Sequence, residues 1–169
     1  MNNKFAVYKN KEYSVDISGN IVMLVSECED EGFEYYKDVL GNVHTDLFQK
    51  EVKRDTVELI YSLSFSTVYK GESFEPLSIN KSVVEYNKVV LFTSDENVAR
   101  KYGFNKKEQF VFEKEVKLDE LDEFISIKTP ILEFKDKKIV IEKFRGSEII
   151  ETIKDIINKW RKSEKKNKY

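Results

Sequence analysis

Phe48-Gln-Lys-Glu-Val-Lys-Arg-Asp55 returns as Phe112-Glu-Lys-Glu-Val-Lys-Leu-Asp119, identical at six of eight positions with an offset of 64. A repeat of this spacing means that one supersecondary unit occurs twice, so it is read before any local pattern. Upstream, Ala6-Val-Tyr-Lys-Asn10 returns as Thr67-Val-Tyr-Lys-Gly71 at an offset of 61. Between these pairs, Ile21-Val-Met-Leu-Val-Ser26 is loosely matched by Val89-Val-Leu-Phe-Thr-Ser94. The drift in offset is what small loop insertions in duplicated units produce.

Each unit has its own local logic. Phe5 to Tyr8 and Glu12 to Ile17 alternate apolar and polar residues around Asn10-Lys11, a hairpin pattern, and Gly19-Asn20 leads into a third strand over Ile21 to Val25. A fourth strand is expected near Asp46 to Val52. Asp55-Thr-Val-Glu58 has capping-box spacing, and Val57, Ile60 and Leu63 follow at helical intervals, so a short helix is expected to close the unit. In the second unit the strands are expected over Ser66 to Tyr69, Ser73 to Pro76, Lys88 to Thr93 and Gln109 to Val116. Leu118, Leu121, Phe124 and Ile125 give the matching helical stripe, and an extra helix is expected from Asp95 to Tyr102, ended by Gly103.

The remainder differs. Ile131 to Phe134 and Ile139 to Phe144 flank a Lys135 to Lys138 turn and read as a hairpin. Ile149, Ile150, Ile153, Ile156, Ile157 and Trp160 then hold one face of a helix, expected to dock as core. From Arg161 to Tyr169 a frayed basic tail is expected. The fold expected is therefore α+β. It consists of two tandem antiparallel β units, residues 1–65 and 66–130, of the SH3-like barrel kind and each closed by a short helix. A hairpin and amphipathic helix over residues 131–169 complete it.

The 169 residues are 40% hydrophobic and 36% charged, with 29 basic and 31 acidic side chains, which excludes wholesale disorder and a strong overall field for nucleic acid or anionic lipid. Residues 1–65 hold 7 basic and 12 acidic groups and residues 131–169 hold 12 and 7, so the two ends carry opposite charge. Seven basic residues from Lys154 to Lys168 form the one basic run, but no recognition motif accompanies it and nucleic-acid binding is not expected. Glu27, Glu29, Asp30, Glu31, Glu34 and Asp38 fall within twelve residues, with Phe33, Tyr35 and Tyr36 among them. Such a run is ordinarily a solvated loop. Its functional reading is an acidic, aromatic surface for a basic protein partner, with Glu29, Asp30, Glu31, Phe33, Glu34, Tyr35 and Asp38 as the contact residues.

The parts of an enzyme are scarce. One histidine, His44, and one cysteine, Cys28, cannot make a structural His/Cys zinc site, and neither the P-loop nor the dinucleotide glycine pattern occurs. His44 lies in the turn-like Gly41-Asn-Val-His-Thr45 and is expected to be exposed or locally hydrogen-bonded. Cys28 is expected to be an inert loop residue. No catalysis, metal or cofactor is expected. The first residues lack the apolar run of a signal peptide and no stretch is long enough to span a bilayer, so a cytoplasmic protein is expected.

The repeated [Ala/Thr]-Val-Tyr-Lys-x-x-x-[Tyr/Phe] pattern, the apolar strand, Ala99-Arg-Lys-Tyr-Gly-Phe104 and Phe-x-Lys-Glu-Val-Lys-x-Asp together resemble the tandem-repeat immunity proteins associated with polymorphic toxins of Gram-positive bacteria. The resemblance spans roughly Phe5 to Thr129. It implies a cytoplasmic protein that binds and blocks a cognate toxin domain without catalysis of its own, and it fixes no functional residue. The alternative is a structural or regulatory interaction module, phage-borne and self-associating.

Overall fold

In a computed structural model of the chain, residues 3–167 are described, with side chains as far as Asn158 in the last helix. The chain divides into two compact units. The first holds the residues up to Ser64, Lys128–Val140 and the chain from Asn158; the second holds Phe65–Ile127 and Ile141–Ile157. The segment 131–169, expected as a separate piece, is thus shared out between them.

The first unit contains β1 (Lys4–Tyr8), β2 (Lys11–Ser18), β3 (Ile21–Ser26), β4 (Glu34–Lys37), β5 (Val43–Lys53) and the start of β6 (Leu59–Tyr69). Their order is β4-β5-β3-β2-β1-β6, and each neighbouring pair is antiparallel. Alternation along these strands turns Ala6, Val15, Val22, Leu24, Val52 and Ile60 into one core, onto which Tyr8, Ile17, Phe33, Ile131 and Phe134 pack.

The second unit takes over the rest of β6 and adds β7 (Glu72–Pro76), α1 (Lys81–Tyr86), β8 (Lys88–Thr93), α2 (Glu96–Tyr102), β9 (Asn105–Glu108), β10 (Val111–Lys117) and β11 (Glu123–Pro130). The order β6-β7-β8-β10-β9 repeats β1-β2-β3-β5-β4 of the first unit, and β11 lies beside β6. α2 forms where expected: the Asp95 carboxylate accepts from the N–H groups of Asn97 and Val98, and Gly103 ends it at φ 70°.

The two units share details that the eight-residue repeat only hints at. Lys9-Asn10 and Lys70-Gly71 both have positive φ, the turn that matches strand twist in a two-residue hairpin. Each turn is clamped by a carboxylate one strand away: Asn10 N–H donates to Glu58 at 3.0 Å and Gly71 N–H to Asp122 at 2.9 Å. Lys50 Nζ lies 5.4 Å from the centre of the Tyr8 ring and donates to Glu31 O. Lys114 does the same over Tyr69 at 5.7 Å and to Tyr102 O. The carbonyl each lysine binds precedes a Gly-Phe pair, Gly32-Phe33 or Gly103-Phe104, whose ring sits on Tyr13 or Phe74. The glycines have φ 77° and 70°, and a Cβ would meet the lysine Nζ at 2.8 and 3.3 Å.

Four expectations are corrected. No α-helix closes either unit; Arg54–Thr56 and Leu118–Glu120 are single 3₁₀ turns, and Ile60, Leu63 and Phe124 lie on β6 and β11. Because Ile60 and Tyr61 are both buried, β6 is covered on both faces, and an apolar run of that kind loses its alternation and imitates a helix. Glu58, expected in a capping box, is the turn clamp instead. The expected hairpin over 131–144 is also replaced. Leu132–Phe134 is a 3₁₀ turn that seats Ile131 and Phe134 on the first core, and β12 (Val140–Phe144) pairs with β11.

α3 (Glu148–Asn167) buries Ile149, Ile153 and Ile156 as expected. Its backbone continues helical through Arg161–Asn167, the stretch expected to fray, because Lys, Arg and Glu sustain a helix without apolar partners. The side chains of Trp160 and the basic run beyond it lie outside the described residues. Among the described residues no helix is long and apolar enough to cross a membrane.

Candidate functional site

The acidic segment follows β3 and is fastened to the first unit at several points. Ser26 Oγ accepts from Cys28 N–H at 3.0 Å, and Phe33 N–H donates to Asp30 O at 3.0 Å, turning the chain at Gly32. The Asp30 carboxylate takes two bonds from Lys11 Nζ, at 2.8 and 3.0 Å, and one from Tyr13 OH at 2.9 Å. Those donors, Lys11 first and Tyr13 next, hold its carboxyl below the usual carboxylate range. Burial, with Asp30 as the next cause, pushes the Tyr13 phenol up to about 12. Phe33 covers Tyr13 with ring centres 5.3 Å apart. Asp30 and Phe33 therefore fix the segment in place. Glu29, Glu31, Glu34 and Tyr35 are left exposed, with Tyr35 against the Phe48 ring and Glu34 accepting from Gln49.

Asp38 is not on the surface. It is 9% exposed and organises the turn between β4 and β5. Oδ1 accepts from the N–H groups of Leu40 and Asn42 at 2.9 Å; Oδ2 accepts from Asn42 Nδ2 at 2.9 Å and lies 3.2 Å from His44 Nε2. Asp38 N–H donates to Asn42 O and Gly41 N–H to Asp38 O, both at 3.0 Å. The Asn42 amide is the chief reason that the Asp38 carboxyl is drawn down to about 2. Asn42 N–H, His44 and Leu40 N–H add to it against the opposing effect of burial. The turn so held carries Val39 at 94% and Leu40 at 80% exposure, with Val43 at 54% behind them. His44 belongs to β5 and is half-buried, with its Nε2 against Asp38.

Beside this turn the sheet face is concave. Asp16, Met23 and Glu51 are cross-strand neighbours on β2, β3 and β5, and with Tyr36, Lys37 and Gln49 they line a hollow of about 230 Å³. Burial, then Asp16 and Asp38, raise the Tyr36 phenol. Arg54, paired with Glu133 at 3.0 Å, lines a second hollow of about 510 Å³ with Asn20, Ile21, Lys53 and Asp55. Among the described residues no three His, Cys, Asp or Glu side chains gather as a metal cluster. Cys28 is exposed.

Sequence reasoning named the acidic residues but passed over Val39, Leu40 and the Asp16–Glu51 hollow. The signal for the first was present: two adjacent apolar residues between Asp38 and Gly41-Asn42, where a turn needs none. The second depends on strand register, which no local pattern gives.

The model of the family described as uncharacterised conserved protein UCP033725 matches residues 1–133. The chain belongs to that family. The match takes in both repeats and ends within the 3₁₀ turn that seats Phe134, before β12 and α3. No curated protein and no solved structure matches the chain.

Proposed function

We propose that the chain is a non-catalytic immunity protein that acts in the cytoplasm by binding and neutralising a cognate toxin domain with a basic surface. The observation that carries this reading is the fastening of the acidic segment. Lys11, Tyr13 and Lys50 hold Asp30 and the Glu31 carbonyl, while Glu29, Glu31, Glu34 and Tyr35 face solvent. A fixed acidic surface steers a basic partner and loses little freedom when it docks. With this reading goes the finer one of each unit as an SH3-like barrel. It is supported by a five-strand meander whose last strand, after a 3₁₀ turn, returns beside the first.

The test is growth rescue. The C-terminal domain encoded by the gene immediately upstream is expressed in a sensitive host with and without this chain. Rescue together with co-purification is expected; toxicity that the chain does not relieve would remove the reading. A second reading, self-association, is favoured by β12, where Ile139 just before the strand and Val140 and Ile141 within it are each about half exposed. Sedimentation of the chain alone at micromolar concentration checks it.

A further inference from the structure

Val39 and Leu40 are the most exposed large apolar side chains among the described residues. Single exposed apolar residues need no explanation. These two are consecutive, and they stand on a turn that spends a buried carboxylate and six hydrogen-bond contacts on its shape. Neither side chain contributes to the first unit's core. The turn is therefore rigid for a reason other than packing its own residues, and rigid loops bind with a smaller entropy cost than loose ones.

Charge says what kind of surface they meet. The turn ends the most acidic stretch of the chain and adjoins the hollow that carries Asp16 and Glu51, with Lys37 as its one cation. A membrane of anionic lipid or an acidic protein would be repelled there, whereas an apolar pocket rimmed by lysine or arginine is complementary. We infer that Val39 and Leu40 are the apolar anchor with which the first unit enters a pocket on a basic protein, the acidic residues pairing with the rim. This rests on the toxin-binding reading and names the contact that carries its affinity.

Titration calorimetry tests it with the purified upstream-encoded domain as probe. The full-length chain, Val39→Ser/Leu40→Ser and Glu29→Lys/Glu31→Lys are compared at several salt concentrations. The serine pair is expected to weaken binding by at least about 30-fold with the salt slope and melting temperature unchanged, the mark of a lost apolar anchor. The lysine pair is expected to flatten the salt slope. Equal affinity of the serine pair and the parent would overturn the anchor and leave toxin binding standing. No binding by the parent would overturn toxin binding and the anchor with it. Conversion of a dimer to a monomer by the serine pair would give the turn to a second copy and overturn the basic partner.

Discussion

Between its third and fourth repeat strands the first unit inserts an acidic loop and β4; at the same place the second inserts α2 and β9. In and around these inserts the two are built alike, with tyrosine under lysine, Gly-Phe on an aromatic ring and a carboxylate clamp on a hairpin turn. What is common to both is scaffold, since it recurs whatever the insert. The inserts differ in their work. α2 and Phe104 add to their own unit's core, with Ala99 and Phe104 buried, while the acidic insert seats only Phe33 on its core and leaves Glu29, Glu31, Glu34 and the apolar tip Val39-Leu40 in water.

The sharpest way to break that comparison is at the matched phenylalanines. Phe104→Ala removes a buried ring 4.9 Å from Phe74, which also meets Tyr69 and Tyr102, and a loss of about 3–5 kcal/mol is expected in urea unfolding. Phe33→Ala removes a half-buried ring and is expected to cost roughly 1–2 kcal/mol. Equal losses would show the acidic insert to be as much a part of the core as α2.

Next come the lysines. Lys114→Met gives up the bond to Tyr102 O in a partly buried setting, with an expected loss of about 1 kcal/mol, and Lys50→Met, in a more exposed one, less than that. A reversed order in chemical denaturation would overturn the equivalence of the two sites.

The Asp38 carboxylate has no counterpart in the β9–β10 turn of the second unit, where Gln109-Phe110 stand at the matching place. The Asp38 carboxyl is depressed in the folded state, so its contribution is complete above the ordinary aspartate value near 4 and is lost as pH falls toward about 2. The amide resonances of Leu40 and Asn42 are expected to hold to pH 4 and to move together only below it. Movement centred at the ordinary value would sink the hydrogen-bonded picture of the turn.

The smallest effect is at the outermost charges. Glu29→Lys and Glu31→Lys are expected to change stability by no more than about 0.5 kcal/mol each. Asp30→Lys should cost clearly more, because Lys11 and Tyr13 lose their acceptor. A thermal melt in which all three behave alike would leave Asp30 with no anchoring role.

Much of this was legible in the residues. The repeat placed the matching strands of both units, and Asp95 and Gly103 placed α2, because caps act locally. The closing helices were misread where Ile60 and Leu63 sit on a doubly covered strand, since an apolar run does not say whether neighbours lie on one side or two. The β4 strand was hidden because its two strand-favouring tyrosines stand in a short, charged stretch, and it exists because β5 offers it an edge. Asp38 read as surface because its partners, Leu40, Asn42 and His44, become partners only once the turn forms.

The duplicated strand has a consequence for how the chain reaches this state. β5 and β10 carry nearly the same six residues, Phe48–Lys53 and Phe112–Lys117, and each must find its own partner, β3 or β8. Val52 opposite Val22 and Val116 opposite Val89 are interchangeable contacts, so a collapsing chain can exchange β5 for β10 at little local cost. Such swapped pairings are kinetic traps characteristic of repeat proteins. What distinguishes the two strands is the chain that leads into them, an acidic loop and β4 in one unit and a capped helix and β9 in the other, so the native register is written in the inserts rather than in the repeat.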